Sequence, residues 1–344
     1  MTISSTATRI VLPGLVEPDG LTIETVPVPS PGSGQLLVRV EVTGVSFAEQ
    51  SMRKGRYFSQ PAFPFVPGYD LVGIVLEAGA GADEALVGRR VATLTKTGGW
   101  TTHAVVEARD SVVVPDGVAP ENAETVVVNG VTAWQMLYRS ARARRGQTIL
   151  LHGANGGVGG ILSQLAQREG IRVIGGASPR HHEALRAAGV EPVDYNDPEF
   201  ARRVRELAPG GVDAVFDNIG GRMMHTSFSL LAPGGTLVVY SLISQMGGTG
   251  SVMAPFVKAL SQVVLWNVLP NRRHATFYDL WAGHQARPAR FRAHLENDLG
   301  QILGLLGNGA ISANIAARFP LERAAEALAL AESRTLNGKV ILLP

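Results

Sequence analysis

Residues 152–170 read HGANGGVGGILSQLAQREG, a glycine-rich segment that runs into a helical pattern. The apolar run of residues 148–152 predicts a buried strand before the glycines, and apolar residues recur at helical spacing from Ile161 to Ala166 after them. A tight turn from a strand into a helix points backbone N–H groups and the positive end of the helix dipole at an anion. Because the segment lacks the lysine of a nucleoside triphosphate loop, it predicts a site for a dinucleotide pyrophosphate instead.

The glycines at positions 153, 156 and 159 follow the spacing G-x-x-G-x-x-G, one step from the commoner G-x-G-x-x-G. Gly156 would let a pyrophosphate approach the backbone, and Gly159 would let the helix pack closely on the strand. Three glycines before a helix also form tight turns that bind no ligand, so the dinucleotide interpretation depends on the strands and helices around them. The predicted contacts of this loop with a cofactor are Asn155, Gly156, Gly157, Val158 and Gly159.

Strands and helices alternate along the middle of the chain. From residue 126 to residue 268, short apolar runs alternate with helical stretches, which predicts a parallel, doubly wound α/β sheet. Residues 1–125 are β-rich and punctuated by proline and glycine. Residues 269–344 end with strand, helix and strand, in the style of the first segment. We therefore expect a nucleotide-binding domain of residues 126–268 inserted in a split outer domain of residues 1–125 and 269–344.

The end of the second strand decides between NAD and NADP, because an acidic residue there would bind the ribose hydroxyls of NAD. The chain reads IGGASPRHHEAL at residues 174–185, and its first acidic residue, Glu183, already lies in the next predicted helix. Ser178, Arg180 and His181 offer a hydroxyl and cationic groups to a 2′-phosphate, which favours NADPH. The alternative is Ser178 as a helix N-cap, with Arg180 and His181 on a solvated first turn.

The composition excludes several classes of function. Of 344 residues, 45% are apolar and 17% are charged, and no apolar run is long enough to span a membrane. The absence of cysteine excludes disulfides, thiol nucleophiles and thiolate metal sites. A formal net charge of +2 with scattered arginines gives no support for a nucleic-acid partner. Since the N-terminus shows no secretory pattern, we expect a cytoplasmic protein.

Six segments carry a family resemblance. They are GVSFAEQSMRKGRY (44–57), PGYDLVGIV (67–75), NGVTAW (129–134), HGANGGVG (152–159), DNIGG (217–221) and NGKVILLP (337–344). Together they resemble the zinc-free medium-chain dehydrogenases/reductases of the quinone oxidoreductase family, and residues 176–195 are especially similar to its vesicle amine transport protein branch. The resemblance covers essentially the whole chain. It implies a Rossmann domain, with a doubly wound parallel sheet, inserted in a split, β-rich, GroES-like catalytic domain.

The same resemblance bears on metals. In zinc-dependent relatives, a catalytic cysteine and a catalytic histidine occupy the segments in which this chain has Ser46 and Tyr69. The chain also lacks the four-cysteine lobe of a structural zinc, and its eight histidines show no chelating spacing. We therefore expect no metal. Without a Lewis acid, the resemblance implies hydride transfer from NADPH to an acceptor that is already electrophilic, such as a quinone or an α,β-unsaturated carbonyl compound.

The family's usual substrate contacts are altered in this chain. Asparagine, aspartate and tyrosine are usual at positions where this chain has Ser46, Glu49, Ser51 and Tyr57. Tyr57, the one match, could hydrogen-bond the carbonyl oxygen of the acceptor and deliver a proton. It could equally be an apolar wall of the pocket, with water as the proton donor. Tyr57 and Ser46 are the candidate catalytic residues.

The resemblance implies seven more contacts with the cofactor. Two lie beside the nicotinamide and the adenosine, three follow strand ends in the nucleotide-binding domain, and two close over the cofactor from the returning tail. In that order they are Thr132, Tyr195, Asn218, Gly220, Ser241, Asn337 and Lys339. For Asn337, a turn before the last strand is an equal alternative.

Two segments near the end of the nucleotide-binding domain lead to further expectations. Residues 269–291 are basic and aromatic, and they could form a mobile cover with Phe277, Tyr278 and Trp281 against a flat acceptor. The alternative places these rings in the core of a helix. The apolar run VVLWNVL (263–269) predicts an edge strand that needs a partner, so we expect a homodimer through that edge.

Two other functions stay open. An enoyl reductase that acts on a thioester intermediate of secondary metabolism would use the same hydride chemistry in a pocket of different size. A protein that binds NADPH without catalysis would account for the altered residues at positions 46, 49 and 51.

Overall fold

The structure, a computed structural model, describes residues 5–245 and 253–344. Its strands are β1 (Thr6–Val11), β2 (Thr22–Pro27), β3 (Gln35–Val45), β4 (Asp70–Ala78), β5 (Arg90–Leu94), β6 (His103–Glu107), β7 (Ser111–Val113), β8 (Thr148–His152), β9 (Arg172–Gly176), β10 (Glu191–Val193), β11 (Val212–Asp217), β12 (Leu231–Val239), β13 (His274–Phe277), β14 (Ile315–Pro320) and β15 (Lys339–Leu343). Its α-helices are α1 (Phe47–Arg53), α2 (Pro120–Val126), α3 (Val128–Trp134), α4 (Gly157–Arg168), α5 (His182–Ala187), α6 (Phe200–Leu207), α7 (Arg222–Ser229), α8 (Met253–Val268), α9 (Pro288–Gly307) and α10 (Ala324–Glu332).

The chain divides into two compact units. The first consists of Met1–Val131 and Gly283–Pro344, and the second of Thr132–Ala282. Both boundaries lie further along the chain than the predicted limits after residues 125 and 268. The second limit differs most because β13 pairs with β12 and so belongs to the sheet of the second unit.

The first unit is built around a mostly antiparallel sheet. Its strand order is β14-β15-β3-β4-β5-β7, with β6 paired to β3, and β1 forms a separate antiparallel pair with β2. The long strand β3 is central to this sheet because it pairs with β4, β6 and β15. Its apolar residues, such as Val38 and Val40, are buried. The C-terminal strand β15 pairs antiparallel with β3, Val340 opposite Val45. The tail of the chain therefore completes the first unit, as the split-domain prediction requires.

The second unit contains a parallel sheet. Its described strands run in the order β10-β9-β8-β11-β12-β13, and every neighbouring pair is parallel. The order reverses between β8 and β11, and ligands of such sheets bind outside the carboxyl ends of the strands at this point. Helix α4 buries Ile161, Leu162, Leu165 and Ala166. The predicted α/β fold, a Rossmann sheet inserted in a split β-rich domain, is confirmed.

The prediction of an edge strand at residues 263–269 is wrong, because residues up to Val268 form the end of α8. Ala259, Val263 and Trp266 are the buried residues of this helix and recur at helical spacing. A short apolar run fits a buried strand and a helix equally well, and only packing distinguishes them. Of the two edge strands among the described strands, β10 and β13, the one that α8 precedes in the chain is β13.

Residues 269–291 do not form the core helix that was one alternative from the sequence, and a cover over the acceptor stays a prediction. They include β13 and a series of turns. The Phe277 ring packs edge-on against Phe256 at a centroid distance of 5.1 Å, and the Tyr278 hydroxyl donates to Gln135 Oε1 at 2.9 Å. Pairing with β12 holds the aromatic segment at the sheet edge. Across the described ranges 5–245 and 253–344, no helix is both long enough and apolar enough to cross a membrane.

Candidate functional site

The glycine turn after β8 brings the start of α4 against the end of the strand. Gly153 has a φ of 67°, which favours glycine, and the Gly156 N–H donates to the Gly153 carbonyl oxygen at 2.9 Å. A Cβ at Gly159 would lie 2.2 Å from the Gly153 carbonyl oxygen and 2.8 Å from Ala154 Cα. Real side chains do not approach backbone so closely, so the turn and the helix can touch here only because residue 159 is glycine.

The turn also leaves room for an anion. Gly156 is the extended N-cap of α4, and Asn155, Gly157 and Val158 are partly exposed. The first N–H groups of a helix have no partner within the helix and face outward along its axis. In α4, which has 12 residues, these groups carry the positive end of the helix dipole. The geometry fits a pyrophosphate.

The end of β9 presents a hydroxyl and a guanidinium. Ser178 makes no side-chain capping bond, and Arg180 Nε lies 3.4 Å from Ser178 Oγ on the exposed side. His181 is buried, and its burial together with the neighbouring Arg180 and His182 lowers its pKa. Glu183 is exposed in α5. These groups fit a 2′-phosphate better than ribose hydroxyls that need a carboxylate.

A buried polar network at the ends of β8 and β11 was not anticipated from the sequence. Asp217 Oδ1 accepts hydrogen bonds from the N–H groups of Ile219 at 2.8 Å and Gly220 at 2.9 Å. Its other oxygen accepts from the Ser227 hydroxyl at 2.7 Å, and Ser227 Oγ lies 3.0 Å from His152 Nε2. The Asp217 carboxylate therefore fixes the loop that follows β11. The sequence signal was a single polar residue that ends each apolar strand, His152 and Asp217.

The protonation of this network follows from its donors. Since Ser227 donates to Asp217, it accepts from His152, which assigns the imidazole proton to Nε2. Burial lowers the pKa of His152, and the nearby Asp217 only partly offsets this effect, so the ring is neutral. Its Nδ1 has no hydrogen-bond partner among the described residues.

Three predicted cofactor contacts meet where the strand order reverses. Asn218 Nδ2 lies 2.7 Å from the position of a Cβ built on Gly153, so the loops after β8 and β11 touch. Gly220 has a φ of 73°, and a Cβ there would meet Leu242 Cδ2 at 2.5 Å. Ser241 follows β12 and is partly exposed. Asn218 therefore lies beside the glycine turn, and Gly220 lies beside Leu242, the residue after Ser241.

Two other predicted contacts are less informative. Tyr195 follows β10 and packs its ring against the hydrophobic core of the second unit. Thr132 is a buried residue of α3. Their contacts with a cofactor stay predictions.

In the first unit, Tyr57 belongs to a hydrogen-bonded group. Its hydroxyl lies 2.7 Å from the hydroxyl of Tyr69, and the Tyr69 N–H donates to Glu49 Oε1 at 2.6 Å. The Ser46 N–H donates to Glu49 Oε2 at 2.8 Å, and the Ser46 hydroxyl also bonds this carboxyl group. Ser46 is the N-cap of α1, in a capping box with Glu49. The hydrogen bonds of the Ser46 side chain therefore cap α1 and do not involve Tyr57.

The Lys339 prediction needs correction. The Lys339 ammonium lies 2.7 Å from Asp70 Oδ2 and 2.6 Å from Glu124 Oε1, inside the first unit, and its side chain is 2% exposed. Burial alone would lower the pKa of Lys339, but the two carboxyl groups raise it above its ordinary value. Burial raises the pKa of Glu124 well above its ordinary value. The Lys339 ammonium is enclosed between two carboxyl groups of the first unit and is therefore not free to close over a cofactor.

Asn337 lies in the turn before β15. It is exposed, and its Oδ1 accepts from Asn314 Nδ2 at 3.0 Å. This contact supports the turn as its role. Within residues 5–245 and 253–344, no group of three or more histidine, aspartate or glutamate side chains is arranged to hold a metal ion.

The fold and the turn after β8 define a class: a protein with a Rossmann sheet that binds a dinucleotide, inserted in a β-rich domain. Family models match both parts. The alcohol dehydrogenase GroES-like domain matches residues 32–116, and the zinc-binding dehydrogenase model matches residues 189–342.

Individual proteins match over almost the whole chain. The synaptic vesicle membrane protein VAT-1 homolog of Rattus norvegicus is 30% identical over 344 residues, which covers 97% of this chain and 83% of the relative. The structure of a mycobacterial protein in complex with NADPH is 30% identical with a TM-score of 0.83, covering 98% of this chain and 100% of that one. A mycobacterial quinone oxidoreductase is 31% identical with a TM-score of 0.81 and the same coverage. The chain therefore belongs to the medium-chain dehydrogenase/reductase family, in its quinone oxidoreductase group, as the sequence motifs predicted.

Proposed function

We propose that this protein transfers hydride from NADPH to a quinone or an α,β-unsaturated carbonyl compound without a metal ion. The observation that carries the proposal is the end of β9, where Ser178 and Arg180 stand in place of the carboxylate that NAD requires. The membership of the quinone oxidoreductase group supports the acceptor class.

NADPH, when bound, supplies the hydride, and the residues of the second unit hold and orient it. The N–H groups of Gly157, Val158 and Gly159 would hold the pyrophosphate. Ser178 and Arg180 bind the 2′-phosphate, whose negative charge favours protonation of the adjacent His181. Asp217 keeps the loop with Asn218 and Gly220 in the shape that receives the ribose.

The first unit supplies the proton. Tyr57 is partly exposed and its hydroxyl can donate to the carbonyl oxygen of an acceptor, where negative charge develops as hydride arrives. Ser46 acts indirectly, by fixing Glu49 at the start of α1. A reaction of this kind that proceeds without a metal ion needs an acceptor that is electrophilic by itself, which favours quinones and enones over simple ketones.

Purified protein is expected to oxidise NADPH with at least one quinone or enone of a panel, and to use NADH far less well. The decrease of nicotinamide absorbance measures both rates. Binding of NADPH without oxidation by any acceptor would show a binding protein without catalysis. Turnover with enoyl thioesters alone would show an enoyl reductase instead.

Cofactor choice provides the matched control for this experiment. Ser178→Ala and Arg180→Ala each remove a partner of the 2′-phosphate and should weaken NADPH by about 10–100-fold while NADH binding is unchanged. Arg202→Ala removes an exposed arginine of α6 that pairs with Glu199 and should change neither. Equal losses for NADPH and NADH would overturn the 2′-phosphate assignment.

We also propose a homodimer, but through α8 rather than by strand pairing. The outer edge of β13 is already capped: the Asn267 amide bonds the N–H and the carbonyl of Ala275 at 2.9 and 2.8 Å, and Asn271 Oδ1 accepts from the Arg273 N–H at 2.9 Å. Beside this edge, α8 and the residue after it expose seven large apolar side chains. They are Met253, Val257, Leu260, Val264, Leu265, Val268 and Leu269.

A second copy of this helix is the partner that fits a nearly uncharged apolar stripe, because two such stripes bury each other across a two-fold axis. Val264→Glu is therefore expected to convert a dimer into a monomer in sedimentation-velocity experiments. Val87→Glu is the control and should leave the dimer intact, because Val87 is an exposed valine of the first unit, at 46% against 56% for Val264. A monomeric wild-type protein, or a dimer that survives Val264→Glu, would contradict this interface.

A further inference from the structure

Tyr57 and Tyr69 form a pair of phenols in which one member is accessible and the other is buried. Their hydroxyl oxygens are 2.7 Å apart, and their rings meet edge to face with centroids 6.2 Å apart and an interplanar angle of 80°. Tyr57 is partly exposed, whereas Tyr69 is 5% exposed. Tyr57 can therefore be reached from solvent, whereas the Tyr69 side chain is almost completely enclosed.

The backbone holds Tyr69 on both sides. Its N–H donates to Glu49 Oε1 at 2.6 Å, and its carbonyl oxygen accepts from the N–H groups of Thr95 at 2.9 Å and Lys96 at 3.2 Å. These three bonds fix the backbone from which the Tyr69 side chain extends, and the burial of that side chain limits rotation of its ring.

Glu49 is itself fixed by the first turn of α1. Its Oε2 accepts from the Ser46 N–H at 2.8 Å within the capping box. Burial raises the pKa of Glu49, and the hydrogen bond from the Ser46 side chain opposes this effect. Ser46 and Glu49 differ from the family's usual residues. Hydrogen bonds connect Ser46 to Glu49 and Glu49 to the backbone of Tyr69. Tyr69 occupies the segment in which zinc-dependent relatives have a histidine.

The charged side chains near the pair include Lys96 and Glu49. The Lys96 ammonium lies over the Tyr57 ring at 6.0 Å from its centroid and 3.3 Å from Ser59 Oγ. Glu49 contacts the backbone of Tyr69 and not its hydroxyl. A cation near Tyr57 favours a negative charge on its oxygen.

We propose that Tyr69 is a positioning residue for proton transfer: its hydroxyl donates to the oxygen of Tyr57, aims the Tyr57 O–H at the acceptor and stabilises the phenolate that remains. This inference rests on the proposed function, in which the hydride comes from NADPH. When hydride bonds to the β-carbon of an enone, the π electrons move onto the carbonyl oxygen. That oxygen takes the proton of Tyr57 as the Tyr57 O–H bond breaks, the enol tautomerises in water, and water returns a proton to Tyr57.

The test compares Tyr57→Phe, Tyr69→Phe and the double variant with the wild type. Phenylalanine keeps the ring packing and removes only the hydroxyl. Tyr57→Phe should lower kcat by about 100-fold, as loss of a general acid does. Tyr69→Phe should lower kcat by about tenfold, the worth of one hydrogen bond to a charged oxygen, with KM unchanged. The double variant should be no slower than Tyr57→Phe, because Tyr69 acts through Tyr57.

A merely structural role of Tyr69 would give a different pattern. The basic limb of the kcat–pH profile should move to higher pH in Tyr69→Phe, because the Tyr57 phenolate loses its donor. Tyr138→Phe removes a hydroxyl that bonds Glu169 at 3.3 Å in the second unit and should leave rate and profile unchanged. Multiplicative losses in the double variant, or an unshifted profile, would overturn the role of Tyr69.

One measurement separates this inference from the proposed function. The phenolate absorbance that Tyr57→Phe removes can be titrated in the wild type and in Tyr69→Phe without any acceptor. It should appear at higher pH in Tyr69→Phe, and an unchanged titration would overturn the inference even in an active enzyme. A different result would refute the proposed function and leave the inference about Tyr69 intact. In that case the wild type oxidises no NADPH, but the Tyr57 phenolate still appears at higher pH in Tyr69→Phe.

Discussion

Replacing Gly159 with alanine is expected to weaken NADPH binding by at least about tenfold and to lower the free energy of unfolding by about 1–3 kcal/mol. The added Cβ would lie 2.2 Å from the Gly153 carbonyl oxygen and 2.8 Å from Ala154 Cα. Both atoms belong to the backbone of the turn, so the turn and α4 must move apart. That movement would displace the N–H groups to which we assign the pyrophosphate of NADPH. Fluorescence titration with NADPH and urea unfolding measure the two effects.

The adjacent Gly160 provides the control. It lies in the same helix, but a Cβ built there meets nothing within 4 Å. Gly160→Ala should therefore keep the NADPH affinity and raise stability by up to about 1 kcal/mol, because alanine favours a helix over glycine. If Gly159→Ala binds NADPH as well as Gly160→Ala does, the close contact of turn and helix is not required for the cofactor site.

Replacing Lys339 with methionine is expected to lower the free energy of unfolding by about 3–5 kcal/mol, the usual cost of removing one partner of a buried ion pair. The side chains of Asp70 and Glu124 are fully buried, and their shared cation would be lost. Asp70 also accepts from the N–H of Val128 at 2.9 Å, so the start of α3 would be affected. Urea unfolding is the measurement.

Lys54→Met is the matched control because Lys54 also pairs with a glutamate, Glu332, but is 31% exposed. Exposed pairs contribute about 0–1 kcal/mol, so this variant should lose little stability. Below its unfolding range, Lys339→Met should still bind NADPH normally. A selective loss of NADPH affinity with unchanged stability would instead restore the cofactor contact that the family resemblance implied for Lys339.

Much of the nucleotide-binding fold could be predicted because its signals are local. Residues 148–168 alone contain the whole signal, a strand that ends in glycines and is followed by an amphipathic helix. The missing carboxylate at the end of β9 is equally local. Alternation of strands and helices then determines a parallel sheet, since such units connect with one hand.

The features that could not be predicted from the sequence have a common physical origin. The end of α8 reads as a strand because a short apolar run satisfies either structure, and the burial of Val263 and Trp266 on one helical face decides it. The sequence also did not indicate that the Ser46 hydroxyl is engaged in the capping box of α1, and a catalytic role of Ser46 stays a prediction. Which polar side chains are engaged elsewhere is known only once neighbours are in place.

The sequence by itself determined the class of the protein, the α/β sheet, the glycine turn and the preference for a 2′-phosphate, because each depends on residues a few positions apart. Only the tertiary structure decided that Lys339 lies between Asp70, 269 positions away, and Glu124. It alone brought Ser227 to His152 and the Tyr69 hydroxyl to Tyr57. Such contacts arise when the whole chain packs to bury its apolar residues and must satisfy every polar group enclosed with them, a condition that no short segment expresses.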